Sequence, residues 1–250
     1  HRTAEFTAGH PPHDPRSDRT STAFDPYYVG IPLWYHRDPA TGATGACFLD
    51  NAYRSAVDLT GQGCDLELAV DGGQWCEYVF AGPSIEQVLG AYTWLTGRAG
   101  LPPMWALGHH QCRWHPYRQQ DVLALADAMR AHEVPLDALW LDIDHMRGYR
   151  VFTWHPERFP DPVGLADGLR ARGTRLVTIV DPGVKAEPGW ELYDEALGRD
   201  LLCRTEGGDV FIGHVWPGDT AFPDFATADA RRWWGELNAA HVAGGVAGIW

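Results

Sequence analysis

Three carboxylates follow short apolar runs: Asp142 and Asp144 after Ala138-Leu139-Trp140-Leu141, and Asp181 after Arg175–Val180. Tryptophans stand at equivalent places, Trp114 after Gln111-Cys112-Arg113 and Trp250 after Val246-Ala247-Gly248-Ile249. An ionised carboxylate at the end of a buried strand is costly unless something hydrogen-bonds it. Sugar hydroxyls can do so, since one Asp can accept from two adjacent hydroxyls. Tryptophan offers a flat apolar face with one N–H donor, which suits stacking on the C–H face of a sugar ring. A single such Asp is more often a helix cap or the partner of an arginine, here Arg113 or Arg147. Three of them beside tryptophans favour a polyhydroxyl ligand.

The Asp142-Ile143-Asp144 triplet also matches the short acidic motif with which many glycosyltransferases hold a metal-bound nucleotide sugar. On a strand the two acids would share a face. No further oxygen or histidine ligand has supporting spacing, and His109 and His110 would alternate faces if they lay on a strand. No metal and no cofactor are expected.

The elements that must position these residues fall into two regimes. From Phe24 to Ala81 short apolar runs are broken by Gly, Asp and Asn, the pattern of an antiparallel sheet or sandwich. Ser84 then reads as the N-cap of a helix reaching Leu95, with Ile85, Val88, Leu89, Tyr92 and Leu95 on one face. Gly97 to Pro103 is a linker rich in Gly and Pro. Beyond it, strands are expected at Trp105–Gly108, Ala138–Asp142, Arg175–Val180 and Val246–Trp250. They alternate with helices at Gln119–His132, Val163–Arg172, Glu191–Arg199 and Thr227–Ala243, with a hairpin across Leu201–Val215. Nearly all-apolar strands alternating with helices mark a parallel sheet covered on both faces. In a doubly wound sheet or a (β/α)8 barrel the C-terminal strand ends face the ligand. No Gly-rich phosphate turn follows any strand, which weakens a nucleotide-binding alternative.

Composition narrows the partners. Thirty-three acids against 20 bases give a formal charge of −13, which disfavours a nucleic-acid backbone and suits a neutral ligand. Twelve tryptophans raise the prior for carbohydrate. No apolar run is long enough to span a membrane. Cys47, Cys64, Cys76, Cys112 and Cys203 are odd in number and lack CxxC spacing. They are read as buried free thiols in a reducing compartment, hence a cytoplasmic protein. Oligomeric state is not readable.

Six ordered segments are specific enough to carry a resemblance. They are Gly100–Gly108 with Gln111-Cys112-Arg113-Trp114, Pro135–Met146, Phe152-Thr153-Trp154 with Phe159-Pro160-Asp161-Pro162, Ile179–Val184, Val215–Gly218 with Phe222–Phe225, and Gly248-Ile249-Trp250. In this order the chain resembles glycoside hydrolase family 31, α-glucosidase-like, over essentially its whole length. The resemblance implies part of an N-terminal β-sandwich domain with its connecting helix in residues 1–97. The first half of a catalytic (β/α)8 TIM barrel, about four strands, would follow in residues 98–250. It implies retaining, exo-acting hydrolysis of an α-linked glucoside or related oligosaccharide through two carboxylates. The family nucleophile falls two positions past the residue matching Trp250 and the acid/base further on, so no catalytic residue is assigned in this chain. The chain is therefore expected to be a fragment, inactive by itself and prone to aggregate through open strand edges.

By the same resemblance the substrate-binding residues are Asp142, which would hydrogen-bond the terminal sugar, with Trp114, Ile179, Trp216 and Trp250 lining the pocket. Asp181 joins them from its strand-end position. Asp18, with Thr20, matches a loop of the N-terminal domain that reaches over the pocket in the family. His145 replaces the usual tyrosine after Asp-x-Asp, and Pro116 stands where a tyrosine is common. A non-catalytic sugar-binding remnant and a metal-dependent glycosyltransferase are the alternatives.

Overall fold

The computed structural model describes residues 30–58 and 66–250. The chain divides into two compact units, His1–Gly100 and Leu101–Trp250. Asp18 and Thr20 lie outside the described residues.

In the first unit β1 (Leu33–Arg37), β2 (Thr44–Leu49) and β5 (Glu77–Gly82) form an antiparallel sheet in the order β1-β2-β5. β3 (Ser55–Asp58) and β4 (Glu67–Val70) form a separate antiparallel pair. The β1–β2 turn is set by Asp38, whose carboxylate accepts from the Ala40 N–H at 2.8 Å and the Thr41 hydroxyl at 2.7 Å. α1 (Ile85–Thr96) starts at Ser84, whose hydroxyl accepts from the Gln87 N–H. Ala46 and Leu49 of β2 are buried, as is Val88 of α1, while Phe48 and Phe80 meet the Tyr92 ring edge-on.

The second unit is built on β6 (His110–Arg113), β7 (Ala138–Leu141), β8 (Arg175–Thr178) and β12 (Gly248–Ile249). All three pairings are parallel and neighbours follow chain order, β6-β7-β8-β12. α2 (Gln119–Ala131) and α3 (Pro162–Ala171) fill the first two crossovers. The third carries β9 (Val184–Lys185), α4 (Glu191–Gly198), the hairpin β10 (Ile212–Val215)–β11 (Gly218–Ala221), and α5 (Ala228–Ala243). These are successive βα units, four strands of a (β/α) barrel.

Leu139, Leu141 and Leu176 of the strands pack against Val122 and Ala126 of α2 and Leu165, Ala166 and Leu169 of α3. Each fully buried leucine contributes about 1.5–3 kcal/mol. A second cluster sits at the C-terminal strand ends, where Ile143, Met146 and Ile179 meet Trp190, Tyr193, Leu201 and Trp233 of the long third excursion. Asp161 caps α3 through the Gly164 N–H at 2.9 Å with Pro162 behind it, and Thr227 caps α5 through the Ala230 N–H.

The expected first barrel strand is displaced. Met104–Leu107 is a turn of 3-10 helix, and the strand begins at His110. Met104 and Leu107 are 83% and 69% exposed, so their apolar character does not mark a buried strand. The Gly108 N–H turns back to the Trp105 carbonyl, and the Asp137 carboxylate accepts the His109 N–H at 3.0 Å, which starts the ladder one residue later.

The expected hairpin at Leu201–Val215 closes between Arg204 and Val210, but Ile212–Val215 is the first strand of the next hairpin. The expectation of buried thiols is also corrected. Among the described residues Cys112 is exposed, on an edge strand of the sheet, and Cys47, Cys76 and Cys203 are half-buried. No described helix is long and apolar enough to cross a membrane.

Candidate functional site

β7 delivers Asp142 at its C-terminal end, where extended backbone (φ −81°, ψ −179°) breaks into a single 3-10 turn, Ile143–His145. The Asp142 carboxylate accepts the Ile143 N–H at 2.7 Å. Its carbonyl accepts the His145 N–H at 3.1 Å and lies 2.9 Å from His145 Nδ1. The turn also overturns the shared strand face expected for Asp142 and Asp144. Asp144 is carried into the 3-10 helix, where its carboxylate meets the Tyr149 hydroxyl at 3.5 Å. Neither arginine weighed as a partner, Arg113 or Arg147, is ion-paired with these acids among the described residues.

β8 delivers Ile179 and, past it, Asp181. Ile179 donates its N–H to the Leu141 carbonyl at 3.1 Å and is buried, so it forms floor rather than surface. Burial pushes the Asp181 carboxyl above its usual range, and the negative charge of Asp142 adds to the shift. Asp142 likewise reinforces the upward push that partial desolvation gives the Cys112 thiol on β6, whose residue as a whole is exposed. Three adjacent strand ends thus converge on one electrostatic neighbourhood.

β12 delivers Trp250, whose N–H donates to the Thr178 carbonyl at 2.9 Å and whose carbonyl accepts the Val180 N–H at 2.8 Å. Its ring meets Trp140 edge-on at 5.7 Å. Trp140 continues an aromatic row through His110 at 5.8 Å to Trp105, 5.9 Å further. Trp114, past β6, is 63% exposed and lies 6.0 Å from Trp216, which is 47% exposed in the β10–β11 turn. Trp216 and Asp181 line one narrow crevice together with Ile143, Met146 and Tyr149. The structure therefore brings Asp142, Asp181, Ile179 and Trp250 to one end of the sheet; Trp216 joins Asp181 through that crevice, and Trp114 joins through its ring contact with Trp216.

Sequence reasoning missed Tyr149 and Trp140. Tyr149 has a left-handed backbone (φ 60°), as does Phe152 (φ 61°), and strain of this kind gathers at binding sites. Its only sequence signal is an aromatic residue directly after Gly148 in the loop that follows Asp-x-Asp. A roomier hollow of about 200 Å3 lies at the opposite end of the sheet, bordered by Arg170, Arg175 and Val246. It has neither a carboxylate nor an aromatic ring in its wall, so the site is assigned to the C-terminal strand ends.

Chemically, the arrangement offers carboxylate acceptors and exposed indole faces at the same end of the sheet. Among the described residues no group of three metal-ligating side chains forms.

Parallel strands in chain order, successive ones joined through helices, define the (β/α)-barrel class, whose ligand face is the C-terminal one. The model of the glycosyl hydrolases family 31 TIM-barrel domain matches residues 99–250, and the chain belongs to that family. Alpha-glucosidase 2 of Bacillus thermoamyloliquefaciens is 40% identical over 239 residues, 96% of this chain and 29% of the relative. An alpha-glucosidase of Saccharolobus solfataricus is 38% identical over 227 residues, 90% of this chain and 32% of the relative. The chain thus spans under a third of either. Among solved structures, a family 31 alpha-glucosidase from Bacteroides thetaiotaomicron superposes with TM-score 0.78 at 32% identity, over 88% of this chain and 37% of that one. A Flavobacterium johnsoniae family 31 dextranase complexed with isomaltotriose superposes with TM-score 0.79 at 25% identity, over 90% and 28%.

Proposed function

We propose that the polypeptide carrying this chain hydrolyses α-glycosidic bonds of α-glucosides with retention, and that these residues supply its non-reducing-end sugar site. One observation carries the reading: in a family 31 barrel, Asp142 and Asp181 stand just past the adjacent parallel strands β7 and β8, with Trp250 at the end of the next strand and Trp216 sharing a crevice with Asp181. Asp142 keeps one carboxylate oxygen on the Ile143 N–H, which holds the other in place for a ligand hydroxyl. The tryptophans supply stacking faces.

Asp142 and Asp181 act here as hydroxyl acceptors, while attack and proton transfer belong to carboxylates of the later strands. The 250 residues alone are therefore expected to bind α-glucosides weakly and not to turn them over. The test is release of 4-nitrophenol from its α-D-glucoside by the full-length polypeptide, with and without Asp142→Ala. Turnover that falls at least a hundredfold in the variant is expected. Unchanged turnover would overturn the assignment of Asp142. Sugar binding without any hydrolysis by the full-length polypeptide would favour a binding remnant.

A further inference from the structure

We propose that His145 is a positioning residue for Asp142: from a buried seat behind the sugar site it holds the Asp142 carbonyl and so sets the aim of the Asp142 carboxylate. The inference rests on the reading of Asp142 as a sugar-hydroxyl acceptor.

His145 is 2% exposed. Its Nδ1 lies 2.9 Å from the Asp142 carbonyl oxygen. A carbonyl can only accept, so Nδ1 carries the proton and the tautomer is fixed. The same carbonyl takes the His145 backbone N–H at 3.1 Å. These two bonds matter because the segment that carries Asp142 is a single three-residue 3-10 turn. Within its backbone that turn has one further hydrogen bond, from the Met146 N–H to the Ile143 carbonyl. A 3-10 turn has poorer hydrogen-bond geometry than an α-helix, so the side-chain donor adds to the hold on its first peptide. When the Nδ1 donor is lost, the Asp142 carbonyl keeps one of its two donors and the Asp142–Ile143 peptide is held less firmly. The carboxylate rides on that peptide, because one of its oxygens is bonded to the Ile143 N–H.

The imidazole is itself clamped. The His145 carbonyl accepts the His155 N–H at 2.8 Å, and the Trp154 ring meets the imidazole edge-on at 5.0 Å. Trp154 stacks on His241 of α5, and His241 Nε2 lies 2.8 Å from the Thr178 hydroxyl at the end of β8. A wall of packed groups therefore runs from the strand that presents Asp181 to the one that presents Asp142. A histidine satisfied by any nearby carbonyl would be ordinary core packing. Here the carbonyl belongs to the sugar-binding residue, and the imidazole is the second of its two donors.

The experiment uses the full-length polypeptide and compares His145→Leu, His145→Gln, His145→Asn and Asp142→Ala. kcat/KM on 4-nitrophenyl α-D-glucoside and the inhibition constant of glucose are measured, with a thermal melt of each variant. Asn places its amide nitrogen where Nδ1 stands, whereas Gln places it where Nε2 stands and Leu has no donor. Leu and Gln are expected to lower kcat/KM roughly ten- to a hundredfold and to weaken glucose in parallel, with Asn restoring most of both. Equal behaviour of folded Asn and Gln variants overturns the proposal, as does a folded Leu variant with wild-type kinetics. If Leu does not fold, the Asn–Gln comparison decides. Full turnover by Asp142→Ala removes the sugar-site reading itself, whereas loss in Asp142→Ala with no Asn–Gln difference removes only the role given to His145.

Discussion

The indole N–H of Trp140 donates to Nδ1 of His110 at 3.2 Å, across the β6–β7 pair. Because an indole nitrogen only donates, the His110 proton must sit on Nε2, where it faces the Trp105 carbonyl at 3.0 Å. One neutral imidazole thereby ties the 3-10 turn, the first strand and the second strand into the row that ends on Trp250.

His110→Leu removes both bonds and leaves a partly buried indole N–H without an acceptor. The barrel unit should lose about 1–3 kcal/mol, read as a lower urea midpoint at unchanged slope. A shift under about 0.5 kcal/mol would mean that the row is held by packing alone.

Acid should destabilise this fold through its buried histidines. Burial pushes the His145 imidazole from 6.5 down to about 4 against the opposing hydrogen bond to the Asp142 carbonyl, with smaller lowering from His241 and Arg158, and burial lowers His241 as well. Between those values the unfolded chain takes up a proton that the folded chain refuses. The loss begins as pH falls through about 6.5 and is complete near 4, reaching about 3 kcal/mol for His145. Above 6.5 this group contributes no slope. Melting temperatures measured from pH 7.5 to 4.5 should fall, and His145→Asn should flatten the fall. An equal fall in the variant would assign it to other groups.

Asp181 should titrate differently once its neighbour is neutral. With Asp142→Asn the charge that helps hold its carboxyl up is gone, so its midpoint should move down toward the usual carboxylate range, burial still opposing. Carbon-detected NMR titration of the Asp181 carboxyl reads this directly. A midpoint that does not move would mean that the two carboxylates do not feel each other.

Trp216 is nearly half exposed in the β10–β11 turn, so its ring is available to a ligand. Trp216→Ala should weaken glucoside binding by about 1 kcal/mol, roughly fivefold, and leave the melting temperature within a degree or two. Glucose inhibition of the full-length polypeptide checks it. Undiminished binding would leave Trp216 outside the sugar site.

How much of this was legible in the sequence can be argued from single elements. α5 could be read because Thr227, the cap, stands directly before a 16-residue helix whose ends carry their own signals. β7 could be read because Ala138-Leu139-Trp140-Leu141 is apolar on both sides, as a strand covered on both faces must be. β6 was misplaced because Trp105-Ala106-Leu107 is equally apolar. What excludes a strand there is the turn that follows Pro103 and the cap from Asp137, a residue far along the chain.

Local chemistry therefore determined the alternation of strand and helix, the helix caps, the family, and the placement of Asp142 and Asp181 after strands. Those features depend on residues close together in the chain, or on motifs in a fixed order. The tertiary structure alone decided that Asp142 caps its own 3-10 turn, that Asp181 feels the charge of Asp142, and that Trp114 lies beside Trp216. It also decided the tautomers of His110 and His145, because each is set by the partner that reaches the ring nitrogens. Pairings across strands and excursions follow from how layers pack, and no spacing along the chain encodes them on its own.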